Sequence, residues 1–340
     1  SRCLARGPQQ ARGLQLCGPA YHGESLHDRE EAMAVLGDIN RNPMVDKVVG
    51  DRSGTVDILY HLGLDTSMDI STFENVRFVC MGGSAVRAAS FADDLRRHFD
   101  PDAKKTPEPF GKTERFHIYK VGPVISASHG IGMPSMLVLL HELAKLLHYA
   151  GAKDVSFFRI GTSGGIGSEP GTIIVSTSGV MGTLEPVWES IELGERRRYG
   201  ADLDTSLVNG LVAAAREISI PAVSGMTLGS DDFYDGQGRM DGALRPWYTE
   251  EDKMKYLQKA FNAGVRNIEM EAPAFGAFCR RAGIRGAIVC CSIVNRLKGD
   301  QITSTSAQLG QFSVDAQSVV TQYMKTVMFQ NSNVKRARHS

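Results

Sequence analysis

The chain has 340 residues, 42% of them hydrophobic and 22% charged, which is a globular composition with enough length for one large domain or two small ones. Lys+Arg and Asp+Glu each total 38, so the basic excess that a nucleic-acid binder needs for its phosphate contacts is missing. No apolar run approaches the roughly 20 residues of a membrane-spanning helix.

The first 23 residues carry Arg2, Arg6 and Arg12 and no acid before Glu24. They read as part of a disordered tail over 1–29; a basic, acid-poor mitochondrial targeting segment is the alternative. Further on, short β-branched runs alternate with longer amphipathic segments. A strand is predicted over 77–82 and a helix over 86–98, then a strand over 116–128 and a helix over 134–150. That second helix has Pro134 at its first position and Leu137, Leu140, Leu143 and Leu147 on one face. Strands over 154–160 and 172–179 precede a helix over 203–219. A strand over 222–228 and a helix over 249–263 follow. A strand over 265–270, a helix over 272–282, a strand over 285–294 and a helix over 314–329 complete the series. Such alternation predicts one α/β layered domain, about 30–330, with a largely buried sheet and a disordered tail over 331–340.

The six cysteines, Cys3, Cys17, Cys80, Cys279, Cys290 and Cys291, form no CxxC pair and no zinc-ligand spacing, so no metal is expected. Cys80, Cys290 and Cys291 lie in apolar runs and read as reduced packing residues, which fits a cytoplasmic chain.

Ligand sites in α/β folds gather where strands run out into loops. Four stretches qualify. In "CMGGSAVR", Gly82 and Gly83 precede a helix start carrying Arg87; this is either an anion cradle or an ordinary strand-to-helix turn. In "FFRIGTSGGIG", Arg159 falls in an apolar strand, with Thr162 and Ser163 among the glycines just beyond. A phosphate cradle and an internal salt bridge both answer to that pattern. In "DFYDGQGRMDG", Gln237 and Arg239 stand at i, i+2 in a glycine-rich loop, which suits a planar polar ligand or a surface turn. In "NIEMEAPAF", Glu269 and Glu271 flank Met270, where a sugar diol is a better partner than a metal, since no further ligand set accompanies them.

Taken together and in this order, "FRIGTSGGIG", "DFYDGQGRMDGAL" and "AGVRNIEMEA" resemble the nucleoside phosphorylases of the animal uridine phosphorylase type, over roughly 58–330. The resemblance implies a three-layer α/β/α sandwich with a mixed central sheet. It also implies phosphorolysis of uridine or deoxyuridine to uracil and a sugar 1-phosphate, with inorganic phosphate as co-substrate and no cofactor. It assigns phosphate binding to Gly83, Arg87, Arg159 and Thr162, with Arg115 reaching in from the neighbouring subunit of a homodimer. It gives the base to Gln237, Arg239 and Phe233, with Arg296 on a lid beside it. Ribose falls to Glu271, Met270 and Glu269, and its 5′-hydroxyl to His61 of the adjacent subunit. Catalysis rests on Arg239, Gln237 and Arg159. Two features depart from the family pattern: 99–112 lacks the cysteine seen in vertebrate members, and Ala272 replaces a common Ser. A purine phosphorylase would need an acid where this chain has Asn295, and a nucleosidase would not need Arg87, Arg115 and Arg159. A silent nucleoside-binding protein is the reading from another class.

Overall fold

A computed structural model describes Val45 and residues 56–337, with side chains as far as 330. The tail expected over 1–29 lies outside the described residues. A short antiparallel ladder of β1 (Ile58–Leu59) and β2 (Leu64–Asp65) comes first. Then follow β3 (Phe78–Gly82), α1 (Ala85–Phe99), β4 (Ile118–Val121), β5 (Val124–Ser128) and α2 (Met133–Tyr149). The middle of the chain holds β6 (Ser156–Gly165), β7 (Ile173–Val180), β8 (Val187–Glu192), β9 (Glu195–Gly200) and α3 (Thr205–Glu217). The rest is β10 (Ala222–Gly229), α4 (Glu250–Asn262), β11 (Val265–Glu269), α5 (Ala272–Arg281), β12 (Arg285–Asn295) and α6 (Ser306–Ala337).

The main sheet has eight strands in the order β11-β10-β7-β12-β6-β3-β5-β4, with parallel and antiparallel pairs mixed. Strand β11 also pairs antiparallel with the far end of β6, through Asn267 with Gly165 and Ile268 with Gly164. Strands β6, β12, β7, β10 and β11 therefore close into a ring, a feature the linear pattern does not reveal. Helices α1 and α3 both pack on α6, and α2 packs on α5, which gives helical layers on the two sheet faces. Strand β12 is buried along nearly its whole length, as a strand covered on both faces must be.

Most expected elements form within a residue or two of their predicted bounds. The strand expected over 116–128 is two, β4 and β5, because Gly122 turns the chain at φ 50°. Helix α2 buries Met136, Leu139, Leu140, Leu143, Leu146 and Leu147, a face wider than expected, with Leu137 only half-buried at its edge. Strand β6 runs five residues beyond 160, so Thr162 and Ser163 stand on the strand rather than after it. Helix α6 starts at Ser306 and continues to Ala337, past the 330 boundary expected for the domain. No helix among the described residues is long and apolar enough to cross a membrane.

Candidate active site

The ends of β3, β6, β10, β11 and β12 converge on a cleft of about 330 Å³. At one end lies the turn from β3 into α1. The Ser84 hydroxyl caps the helix by accepting from the Arg87 N–H, and Arg87 is half-buried at the cleft wall. Among the described residues Arg87 has no carboxylate partner. A Cβ on Gly83 would sit 2.9 Å from the Gly130 carbonyl oxygen, so glycine is needed here for close backbone approach.

Arg159, 4% exposed, comes off the middle of β6. One of its terminal nitrogens pairs with Glu269 Oε2 at 2.7 Å and with Glu271. The other donates to Cys290 Sγ at 3.2 Å, and Nε has no hydrogen-bond partner among the described residues. The internal salt bridge is thus present, on the same arginine that lines the cleft. Gly161 makes room for it: a Cβ there would lie 2.8 Å from Arg159 Nη1. Ser163 is committed to the interior, accepting from Asn267 Nδ2 at 2.9 Å and donating to the Cys291 carbonyl. Thr162 is left as the hydroxyl available to a ligand, on the alternate face of the strand.

The two carboxylates differ. Glu269 accepts from the backbone N–H groups of Glu271 and Ala272 at the start of α5, so its oxygens are largely committed. Glu271 accepts from the Gly132 N–H at 2.5 Å and keeps lone pairs toward the cleft. Burial pushes Glu269 up, with Arg159 pulling against it. Burial acts the same way on Glu271 and is the largest single influence, but there the Arg159 guanidinium, the Gly132 N–H and the other groups around it together outweigh it and hold the carboxyl below its ordinary range. Glu271 is therefore the ionised hydrogen-bond acceptor of the pair.

At the other end of the cleft the 232–242 loop folds inward. The Asp235–Gln237 turn ends at Gly238, with φ 65°, and Tyr248 donates its hydroxyl to the Arg239 carbonyl. Gln237 is 4% exposed and Arg239 is 9% exposed, which a surface turn would not give. The Arg239 guanidinium lies 4.2 Å from the Phe233 ring centroid. Among the described residues no carboxylate pairs with it, and its buried Nε has no partner. A buried cation without a counter-ion is costly unless a ligand supplies the negative charge.

The family model of the phosphorylase superfamily matches residues 77–328. Uridine phosphorylase 1 of Mus musculus is 42% identical over 274 residues, covering 79% of this chain and 88% of that protein. The chain belongs to the uridine phosphorylases of this superfamily. A structure from a study of two diverse uridine phosphorylases of the oomycete Phytophthora capsici matches with a TM-score of 0.78 at 42% identity, over 82% of this chain and 96% of that one. Inactive uridine phosphorylase B of Schistosoma mansoni is 38% identical over 273 residues, 79% of this chain and 92% of its own length.

Of the residues that the uridine phosphorylase resemblance singles out, Gly83, Arg87, Arg159, Thr162 and Phe233 line the cleft, as do Gln237, Arg239, Glu269, Met270 and Glu271. Three do not. Arg296 is fully buried behind the loop, donating to the Gln237 carbonyl at 2.7 Å and to Asp300 Oδ1 at 2.5 Å, so it braces the 232–242 loop. His61 and Arg115 share a separate open hollow with Tyr60, Thr113 and Glu114.

Sequence reasoning missed the loop between β5 and α2. Gly130 and Ile131 line the cleft, and Gly132, at φ 91°, delivers its N–H to Glu271. The signal was the paired glycines of "HGIGMP" ahead of a helix-starting proline. In the same loop His129 is fully buried, and among the described residues neither ring nitrogen has a hydrogen-bond partner. Burial, with Arg159 adding to it, pushes its pKa from 6.5 down to about 4, so the ring is neutral. Unfolding returns it to the ordinary value, so the folded chain binds fewer protons between those pH values. The stability tied to neutral His129 is full above about pH 6.5 and drains away as pH falls toward 4, by up to about 3 kcal/mol. Glu269 shifts in the opposite sense, so the quantity to measure is the difference in denaturant stability between wild type and His129→Gln. The wild-type advantage should shrink by about 2 kcal/mol from about pH 7 to about pH 4.5. A pH-independent difference would mean that His129 is not held neutral.

Proposed function

We propose that this chain cleaves uridine with inorganic phosphate, giving uracil and ribose 1-phosphate, and runs the reverse reaction as well. The observation that carries the reading is Arg239: a buried arginine with no salt-bridge partner among the described residues, beside Gln237, across the cleft from Arg87 and Thr162. Phosphate sits at the Gly83–Arg87 end, held by Arg87, Thr162 and the Arg159 edge. A phosphate oxygen forms a bond to C1′ while the C1′–N1 bond breaks, and the bonding pair leaves with the uracil ring. Its charge spreads to the ring oxygens. Arg239 donates to O4, and Gln237 pairs with O2 and N3–H. Arg239 therefore binds the departing anion better than the neutral substrate, which lowers the barrier. Glu271 accepts from the 2′- and 3′-hydroxyls, and Met270 packs against the sugar; a 2′-deoxynucleoside keeps one of those hydrogen bonds.

Arg115 and His61 lie away from this cleft, which supports a homodimer in which each subunit lends them to its partner's site. No step requires a cofactor. The buried thiols Cys80, Cys290 and Cys291 suit the reducing cytoplasm.

Asn295 argues against a purine substrate. Its Oδ1 accepts from the Gly167 and Leu297 N–H groups and its Nδ2 donates to Glu169, so it is neither an acid nor available to a base. An inactive relative at similar identity shows that membership alone does not carry activity. Here the cation and carboxylate sets are complete, which favours a working enzyme. The test is phosphate dependence: uridine cleavage should vanish without phosphate and return with phosphate or arsenate. Hydrolysis that persists in phosphate-free buffer would sink the reading in favour of a nucleosidase. No cleavage under any condition would place the chain with the silent members.

A further inference from the structure

The hollow that holds His61 contains an arrangement the reaction scheme above does not use. Glu142, on α2 and 12% exposed, reaches under the turn that follows β1. Its carboxylate accepts from the His61 backbone N–H at 3.0 and 3.1 Å, from the Leu62 N–H at 2.9 Å, and from His61 Nδ1 at 2.6 Å. Thr113, from the segment that carries Arg115, donates its hydroxyl to the His61 carbonyl at 2.6 Å. The turn is thus held at its backbone from two sides and at its ring from one. The ring itself is 44% exposed, and Nε2 faces no hydrogen-bond partner among the described residues.

We propose that Glu142 is a positioning residue, which fixes the His61 ring so that Nε2 is presented to the 5′-hydroxyl of the nucleoside in the partner subunit's site. The inference rests on the uridine phosphorylase reading. The chemistry follows from the carboxylate. Ionised, it can only accept, so Nδ1 must carry a proton. In the neutral ring Nε2 is then the acceptor, and a ribose 5′-hydroxyl is a matching donor. Without Glu142 the imidazole could rotate and exchange tautomers, and a flexible surface histidine would pay ordering entropy on every binding event. A Gln cannot hold this tautomer: with its oxygen on the His61 and Leu62 N–H groups, its N–H₂ would face Nδ1–H, donor against donor.

The experiment compares kcat/KM for uridine and for 5′-deoxyuridine, which lacks the 5′ donor, in wild type, Glu142→Gln, Glu142→Ala, His61→Ala and the Glu142→Gln/His61→Ala double variant. Wild type should prefer uridine by about tenfold, the size of one good hydrogen bond to an oriented group. Each Glu142 variant should lose most of that preference through slower uridine cleavage, while 5′-deoxyuridine changes by less than about twofold. The double variant should show the same preference as His61→Ala, because Glu142 acts through the ring. Glu142 variants that slow both substrates equally would make the residue merely structural and overturn the inference, as would an unchanged preference. Activity on 5′-deoxyuridine reports folding in the same assay. Wild-type protein that cleaves neither nucleoside with phosphate would overturn the function reading itself, a result distinct from an active enzyme with an unaltered preference.

Discussion

Uridine should exceed cytidine in kcat/KM by roughly 10³ or more. The two bases differ at C4, where uracil offers a carbonyl oxygen and cytosine an amino group. Arg239 has only donors, so cytosine would set donor against donor inside a cleft where the residue is 9% exposed. The loop cannot readily move aside. Arg239 lies against the Phe233 ring, its carbonyl accepts from Tyr248, and the neighbouring Gln237 carbonyl is held by the fully buried Arg296. A mispaired, desolvated polar group costs far more than a lost contact, because water cannot take the place of the missing partner. The penalty should grow along the reaction coordinate, since the charge that Arg239 meets is largest on the departing base. Arg239→Ala should therefore lower uridine cleavage by at least about 10² and bring the two nucleosides close together. Comparable rates for uridine and cytidine in the wild-type enzyme would show that Arg239 does not read O4.

The elements that were legible in the sequence are those whose apolar pattern meets the core. The hairpin of β8 and β9 was not, because it stands largely in solvent. Its strands are tied by exposed cross-strand pairs such as Arg196 with Glu189, and no apolar alternation marks "VWESIELGERRRYG". Its turn places Leu193 at φ 51° and Gly194 at φ 84°, a primed turn that carries only one of the usual residues. Helix α6 was predicted to begin at 314 because its first turns are mostly exposed and lack a stripe. Yet the signal was present: Thr305 and Gln308 form a reciprocal cap, the Thr-x-x-Gln spacing of a helix start. Residue chemistry singled out loops that lie along one cleft, since a glycine-rich strand end with an arginine is unusual wherever it occurs. What no spacing rule could supply was the pairing of Arg159 with carboxylates more than a hundred residues away, or of His61 with Glu142. The first is a product of topology: β6 lies between β12 and β3, and β11 returns to the end of β6.

Replacing Arg159 with Ala should lower kcat/KM by two orders of magnitude or more, about 3 kcal/mol, and should also destabilise the fold by about 3–5 kcal/mol. The activity loss follows from removing a buried, charge-assisted donor from the reacting phosphate. The stability loss follows from what Arg159 neutralises in the ligand-free chain. Glu269 and Glu271, each 4% exposed, would face each other with no cation between them. The two effects come apart in two further variants. Arg159→Lys keeps a charge beside the carboxylates, so most of the stability should survive. A lysine cannot bridge both carboxylates and still present a planar edge to phosphate, so kcat/KM should still fall at least about tenfold. Arg159→Ala with Glu271→Gln removes the carboxylate charge that the lost guanidinium would leave stranded. Denaturant melts should recover a substantial part of the lost stability, and activity should not return, because the ribose acceptor is gone as well. Arg159→Ala protein with wild-type stability would mean that the ion pairs contribute nothing to folding. Arg159→Ala protein with wild-type kcat/KM would remove Arg159 from the phosphate site and leave it solely as the counter-ion of the two glutamates.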